Sequence, residues 1–207
     1  MRKYSDFNII PIGDHCAISI LLNDLKLRYK SYPFDWVAKT EQLYDTNIIY
    51  NIQLINELNS TDNIDDIIKK YIGNAFDDNN TNKITNTTTD ILFPHDNEQN
   101  ITDIFEKYKR RFIRLKLDLN KKNIFILLTR HYYIEKDIFQ NIIEQLLNYN
   151  SESIILFISG TNHTYFENIN NENIIFKYIE YDISKYYNYD YTTFRPNVRD
   201  FLANLLT

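Results

Sequence analysis

Phe7-Asn8-Ile9-Ile10-Pro11-Ile12-Gly13-Asp14-His15-Cys16-Ala17 is the stretch from which the fold is read. Residues 7–12 form a short apolar run of strand length, and Gly13-Asp14 punctuates it as a tight turn. From Cys16 the period becomes helical: Ala17, Ile20, Leu21 and Leu25 fall on one face. The order is strand, turn, helix, with the single cysteine of the chain at the helix start.

The same alternation returns towards the C-terminus. Asn123–Thr129 reads as a buried strand, Glu135–Leu147 as a helix, Ser153–Ser159 and Asn173–Ile179 as strands, and Pro196–Leu206 as a helix. Strands separated by helices predict an α/β fold: a layered, largely parallel central sheet with helices on both faces. Between these blocks, residues 41–58, 63–72 and 103–119 carry helical periodicity. The last has Phe105, Tyr108, Phe112, Leu115 and Leu119 as its buried stripe. Leu27 to Trp36 is irregular, because Pro33 lacks a donor and biases Tyr32 to extended geometry. Asp77 to Asp90 is rich in Asn and Thr and reads as a solvated loop or insertion. Ile91-Leu92-Phe93-Pro94 is a short extended piece. At 207 residues the chain is expected to be a single α/β domain.

Net charge is −5, so no overall field recruits nucleic acid or an anionic membrane. One cysteine excludes an internal disulfide and fits a reducing compartment. Met1–Asp6 lacks the apolar stretch of a signal peptide, and no apolar run is long enough to span a bilayer. The expected setting is therefore cytoplasmic. There is no Gly-x-Gly-x-x-Gly, no phosphate-binding loop of the NTPase type and no His or Cys spacing suited to a metal.

A thiol acts as a nucleophile when it is partly thiolate, and a helix N-terminus or a nearby cation favours that form. The turn before Cys16 and the helix after it supply aligned N–H groups that also suit a developing oxyanion. The competing reading is a structural buried cysteine in a non-catalytic binding domain. His15 is adjacent, but neighbouring side chains diverge at a helix start, so it reads as a cap or surface residue.

Gly13-Asp14-His15-Cys16, Leu27-Arg28 and Ser31-Tyr32-Pro33-Phe34-Asp35-Trp36 resemble a bacterial and viral family described as papain-like cysteine peptidases. His95-Asp96 and Lys107-Tyr108-Lys109-Arg110-Arg111 match its His-Asp pair and its Arg-Arg helix, although Asn97 stands where the family has Phe. The likeness covers about residues 7–130. It implies Cys16 as nucleophile and His95 as base. Members of the family accompany polysaccharide-synthesis enzymes, some as one domain of a larger glycan enzyme. The chain is also similar to a giant-virus sugar N-acetyltransferase domain, which implies host cytoplasm for a viral protein.

Read from the residues, His95 is backed by the extended segment and Pro94 before it. His131 follows the strand ending in Thr129-Arg130, and it is the second candidate base, because sites in α/β folds collect at the carboxyl ends of strands. His163 lies in a polar loop and reads as solvated. Asp35 and Asp14 are the leading candidates for the acid that orients the base, ahead of Asp96. Gly13, His15, Arg28, Tyr32 and Trp36 are expected around the substrate, with Asp96, Arg110, Arg111 and Arg130. Lys107, Arg110, Arg111 and Arg114 share a helical face. It would serve either as a solvated face, the favoured reading, or as a phosphate-binding patch.

The function expected is acyl transfer: acetyl-CoA, as acyl donor, acetylates Cys16, and the amine of a nucleotide-linked amino sugar receives the group. A peptidase or amidase using the same Cys–His pair is the alternative. The partners expected are small molecules, with no metal, nucleic acid or membrane.

Overall fold

The computed structural model describes residues 4–13, 16–39, 45–73, 85–86, 91–93, 96, 100–130, 132–182, 184 and 190–207. Asp14, His15, His95 and His131 lie outside the described residues, as does most of the Asp77–Asp90 stretch.

The described elements in order are β1 (Asn8–Gly13), α1 (Ala17–Asp24), β2 (Ala38–Lys39), α2 (Asp45–Ser60), α3 (Ile64–Ile72), β3 (Thr85–Asn86) and β4 (Ile91–Leu92). They continue with α4 (Ile101–Leu119), β5 (Asn123–Thr129), α5 (Lys136–Tyr149), β6 (Ile154–Ser159), β7 (Ile174–Tyr178) and α6 (Arg195–Leu206). A five-residue π-helical turn, Asp190–Phe194, leads into α6. The fold class is the one the sequence predicts, and element boundaries agree to within a few residues.

The main sheet is four-stranded, in the order β1-β5-β6-β7, and every pair is parallel. All seven residues of β5 are buried, as befits a strand covered on both faces. Pro11 sits in β1 at the sheet edge, where its missing N–H costs no ladder bond. β2, β4 and β3 form a small antiparallel sheet that the sequence pattern did not reveal. Its strands are two residues long, too short to show a period of two.

Side-chain alternation along β5 divides the interior in two. Ile124, Ile126 and Leu128 join Ala17, Ile18, Leu21 and Leu22 of α1 and Val198, Leu202 and Leu206 of α6. Phe125 and Leu127 join Tyr108, Phe112 and Leu115 of α4 and Phe139, Ile142 and Leu146 of α5. Helices thus cover both faces, with α1 and α6 on one and α2 to α5 on the other. Each fully buried Leu, Ile or Phe contributes about 1.5–3 kcal/mol of transfer free energy. On α1 the sheet-facing residues include Ile18 and Leu22, while Ile20 is only half-buried. The helix is short and is covered by both the sheet and α6, so its buried face is wider than the stripe expected.

Among the described residues no helix is long and apolar enough to cross a membrane.

Candidate functional site

The connections leaving β1 and β5 diverge. β1 runs into α1 on one face of the sheet, and its neighbour β5 runs to α5 on the other. In open parallel sheets such a change of side opens a crevice beyond the carboxyl ends of the two strands, and ligands bind there. Gly13 is in register with Leu128, so Cys16 and Arg130 both stand just past the ends of adjacent strands.

Cys16 has helical backbone angles, φ −62° and ψ −6°, and its carbonyl accepts the first helical bond, from Ile20 N–H at 3.1 Å. Its thiol does not cap α1, and only 6% of the residue is exposed. The thiol is therefore largely shielded from water, at the helix end where N–H groups lack intrahelical partners.

Arg28, Tyr32, Asp35 and Trp36 form a knot tying the segment after α1 to α4. Arg28 donates to Asp35 Oδ2 from Nε (3.1 Å) and Nη2 (2.6 Å), and from Nη2 to Ser31 Oγ at 2.8 Å. Its guanidinium also lies 5.0 Å from the Trp36 ring centre. Tyr32 N–H donates to Asp35 Oδ2 at 3.0 Å, and Tyr32 OH donates to Asp118 Oδ2 at 2.9 Å. Burial and the neighbouring Asp118 push the Tyr32 phenol up. Burial also raises the Asp35 carboxyl, with Arg28, then the bond from Tyr32 N–H, then Arg111 opposing. Asp35 Oδ1 is buried with no hydrogen-bond partner.

Asp96 is buried. Its N–H closes a turn onto Phe93 O at 3.2 Å, and its carboxylate accepts from Tyr108 OH at 3.0 Å and pairs with Lys107. It therefore does more than cap a turn, since it anchors the segment next to His95 onto α4. Between α4 and β5 the chain turns, with Lys121 N–H donating to Asp118 O at 3.0 Å. Tyr108 lies eleven residues before Leu119, about 17 Å up the helix. The length of β5 is about 20 Å.

The basic face of α4 is neither a solvated face nor a free cationic patch. Lys107 pairs with Asp96, Arg114 donates to Ser31 O at 2.5 Å, and the Arg111 guanidinium covers the Tyr108 ring at 5.2 Å. Arg110 alone of the four is exposed. The helix packs on this side as well, so its cations find internal partners. Arg111 Nη1 is buried without a hydrogen-bond partner.

His163 corrects a second expectation. It is 1% exposed, stacks on Tyr133 at 4.8 Å, and accepts at Nε2 from Ile134 N–H at 2.9 Å. The loop carrying it folds back over the aromatic layer on β6, so a polar local sequence still buried its ring.

Beyond β5, Arg130 is buried with its Nη1 3.9 Å from Asp190 Oδ2. Arg195 Nε donates to the same oxygen at 2.7 Å. Asp190 and Arg195 escaped the sequence reading. They are five residues apart, a spacing that faces in a π-helical turn but not in an α-helix. Among the described residues no group of three His, Cys, Asp or Glu side chains gathers as a metal site.

Compared with protein-family models, with curated proteins and with solved structures, the chain matches none.

Proposed function

We propose that the protein is a cysteine-dependent acyltransferase, with Cys16 as the nucleophile. The observation that carries this reading is the position of Cys16 at the head of α1, at the carboxyl edge where the helices after β1 and β5 part to opposite faces, the kind of place where open parallel sheets bind ligands. In the first step the thiolate adds to the carbonyl of an acyl-CoA thioester, the tetrahedral oxyanion collapses, and the coenzyme thiolate leaves and takes a proton. In the second step an amine adds to the Cys16 thioester and gives its proton to the base, and the Cys16 thiolate is expelled as the amide forms. Exchange of one thioester for another changes little free energy, so positioning, a base and an oxyanion site suffice. First-turn N–H groups of α1 are suited to the oxyanion.

His95 is the base in this reading. The Asp96 anchor onto Lys107 and Tyr108 supports it, because a base acts only from a fixed position. Acetyl-CoA as donor and a nucleotide-linked amino sugar as acceptor come from the family resemblance. The parallel main sheet differs from the helix-plus-barrel division of papain, which weighs against peptide hydrolysis.

The test is intact-protein mass spectrometry after incubation with acetyl-CoA. An acetyl adduct that maps to Cys16, is absent in Cys16→Ser and is discharged by an amino sugar is expected. A chain that stays unmodified sinks the proposal.

A further inference from the structure

Arg130 follows β5 and continues its alternation. Ile124, Ile126 and Leu128 face α1 and α6, and Arg130 has the same parity. Its ion pair with Asp190, at the entrance to α6, agrees with that direction. Cys16 enters α1 on this same face. α1 follows β1 and α6 follows β7, so both helices begin at the carboxyl edge. The two strands that deliver Cys16 and Arg130 are adjacent and in register, about 4.8 Å apart.

The backbone that carries Arg130 is also held firmly. Gly160 N–H donates to Thr129 O at 2.9 Å, which docks the end of β6 against the end of β5. A β-carbon at Gly160 would stand 1.7 Å from Arg130 O, so no side chain fits between them. On the other side Arg195 fixes Asp190 at 2.7 Å, and the Arg195 guanidinium lies 4.3 Å from the Tyr191 ring centre. Asp190 Oδ1 is buried and accepts no hydrogen bond, so the carboxylate is positioned mainly by Arg195.

We propose that Arg130 is the cation that favours the thiolate of Cys16, and that the Asp190–Arg195 pair holds and moderates its charge. The purpose of this arrangement rests on the acyl-transfer reading, while the titration below does not. Of the elements packed against α1, β1 carries no charged residue. α6 carries Arg195, with Arg199 and Asp200 in exposed positions. Asp24, on α1 itself, is at the far end of the helix. Arg130 and Asp190 are therefore positioning residues, acting through the thiol.

The experiment is the rate of Cys16 alkylation by iodoacetamide as a function of pH, on the native full chain. It is run on wild type, Arg130→Gln, Arg130→Lys and Asp190→Asn, with folding checked by circular dichroism. Arg130→Gln is expected to raise the midpoint by about one pH unit, and Arg130→Lys by less. Asp190→Asn is expected to lower it, because the Arg130 charge is no longer shared with a carboxylate. Opposite signs are the signature of charge; packing damage would shift both variants the same way. If Arg130→Gln does not fold, Asp190→Asn decides alone, and an unchanged or raised midpoint there overturns the inference. A low wild-type midpoint that ignores both substitutions also overturns it and leaves the acyltransferase standing. An ordinary wild-type midpoint, near that of a free cysteine, that still moves in the two expected directions keeps the inference and removes the nucleophile.

Discussion

Arg28 closes on Asp35 from two nitrogens, at 3.1 and 2.6 Å, and both bonds end on the same carboxylate oxygen, Oδ2. The pair spans a segment that has neither helix nor strand, so it supplies the order that a backbone ladder would otherwise give. A buried ion pair adds little to stability by comparison with apolar packing, but removing one partner strands the other.

Asp35→Ala is accordingly expected to destabilise the fold by about 3–5 kcal/mol, because the Arg28 charge and Tyr32 N–H lose their acceptor. Urea unfolding measures this. A loss below about 1 kcal/mol would mean that water replaces the carboxylate.

Asp118 predicts an acid-sensitive fold. Burial works to raise its carboxyl, but hydrogen bonds from Lys121, Lys30 and Tyr32 outweigh it and hold the group below its ordinary 3.8. A depressed folded value favours the folded state above the ordinary value, and that contribution is lost as the pH falls through the folded one. Unfolding midpoints in urea should therefore drop as the pH is taken from 3.8 downwards, and Asp118→Asn should flatten that dependence.

His163 predicts a second slope at higher pH. Its Nε2 accepts from Ile134 N–H, so the proton sits on Nδ1, which donates to Thr161 O at 2.8 Å. Burial lowers its pKa below 6.5, with the bond to Thr161 partly opposing. The unfolded chain then takes up a proton more readily than the folded one, so stability present above pH 6.5 declines as the pH falls through the folded value. A proton NMR titration of the imidazole should show a midpoint under 6.5. A midpoint above it would contradict the buried neutral ring.

Gly160→Ala should cost about 3 kcal/mol or more, since the new methyl meets Arg130 O and, at 2.5 Å, Tyr181 Cβ. The obstruction is partly backbone, which cannot rotate away. Thermal denaturation checks this, and a variant as stable as wild type would show that the ends of β5 and β6 are not docked as described.

Much of the architecture was legible locally. β5 announced itself because seven consecutive apolar or β-favouring residues suit a strand covered on both faces, and α4 because its stripe repeats at 3.6 residues. Cys16 at the head of a helix was equally visible, since turn and helix lie within a few residues of it. The Asp190–Arg195 pair was not, because its five-residue spacing belongs to a π-turn that composition does not signal. The solvent exposure assigned to His163 and to three of the four α4 cations, Lys107, Arg111 and Arg114, was wrong for a related reason: local polarity says nothing about what packs on top.

The sequence by itself determined the strands of the main sheet and the helices, their order and the placing of Cys16 between a strand and a helix, because periodicity, turns and caps act over a few residues. Tertiary structure decided that β1 lies beside β5, although more than a hundred residues separate them, and that their helices leave to opposite faces. Strand order and choice of face depend on which apolar surfaces bury one another across the whole chain. That long-range choice brings Arg130, with Asp190 and Arg195, to the same edge and face of the sheet as Cys16.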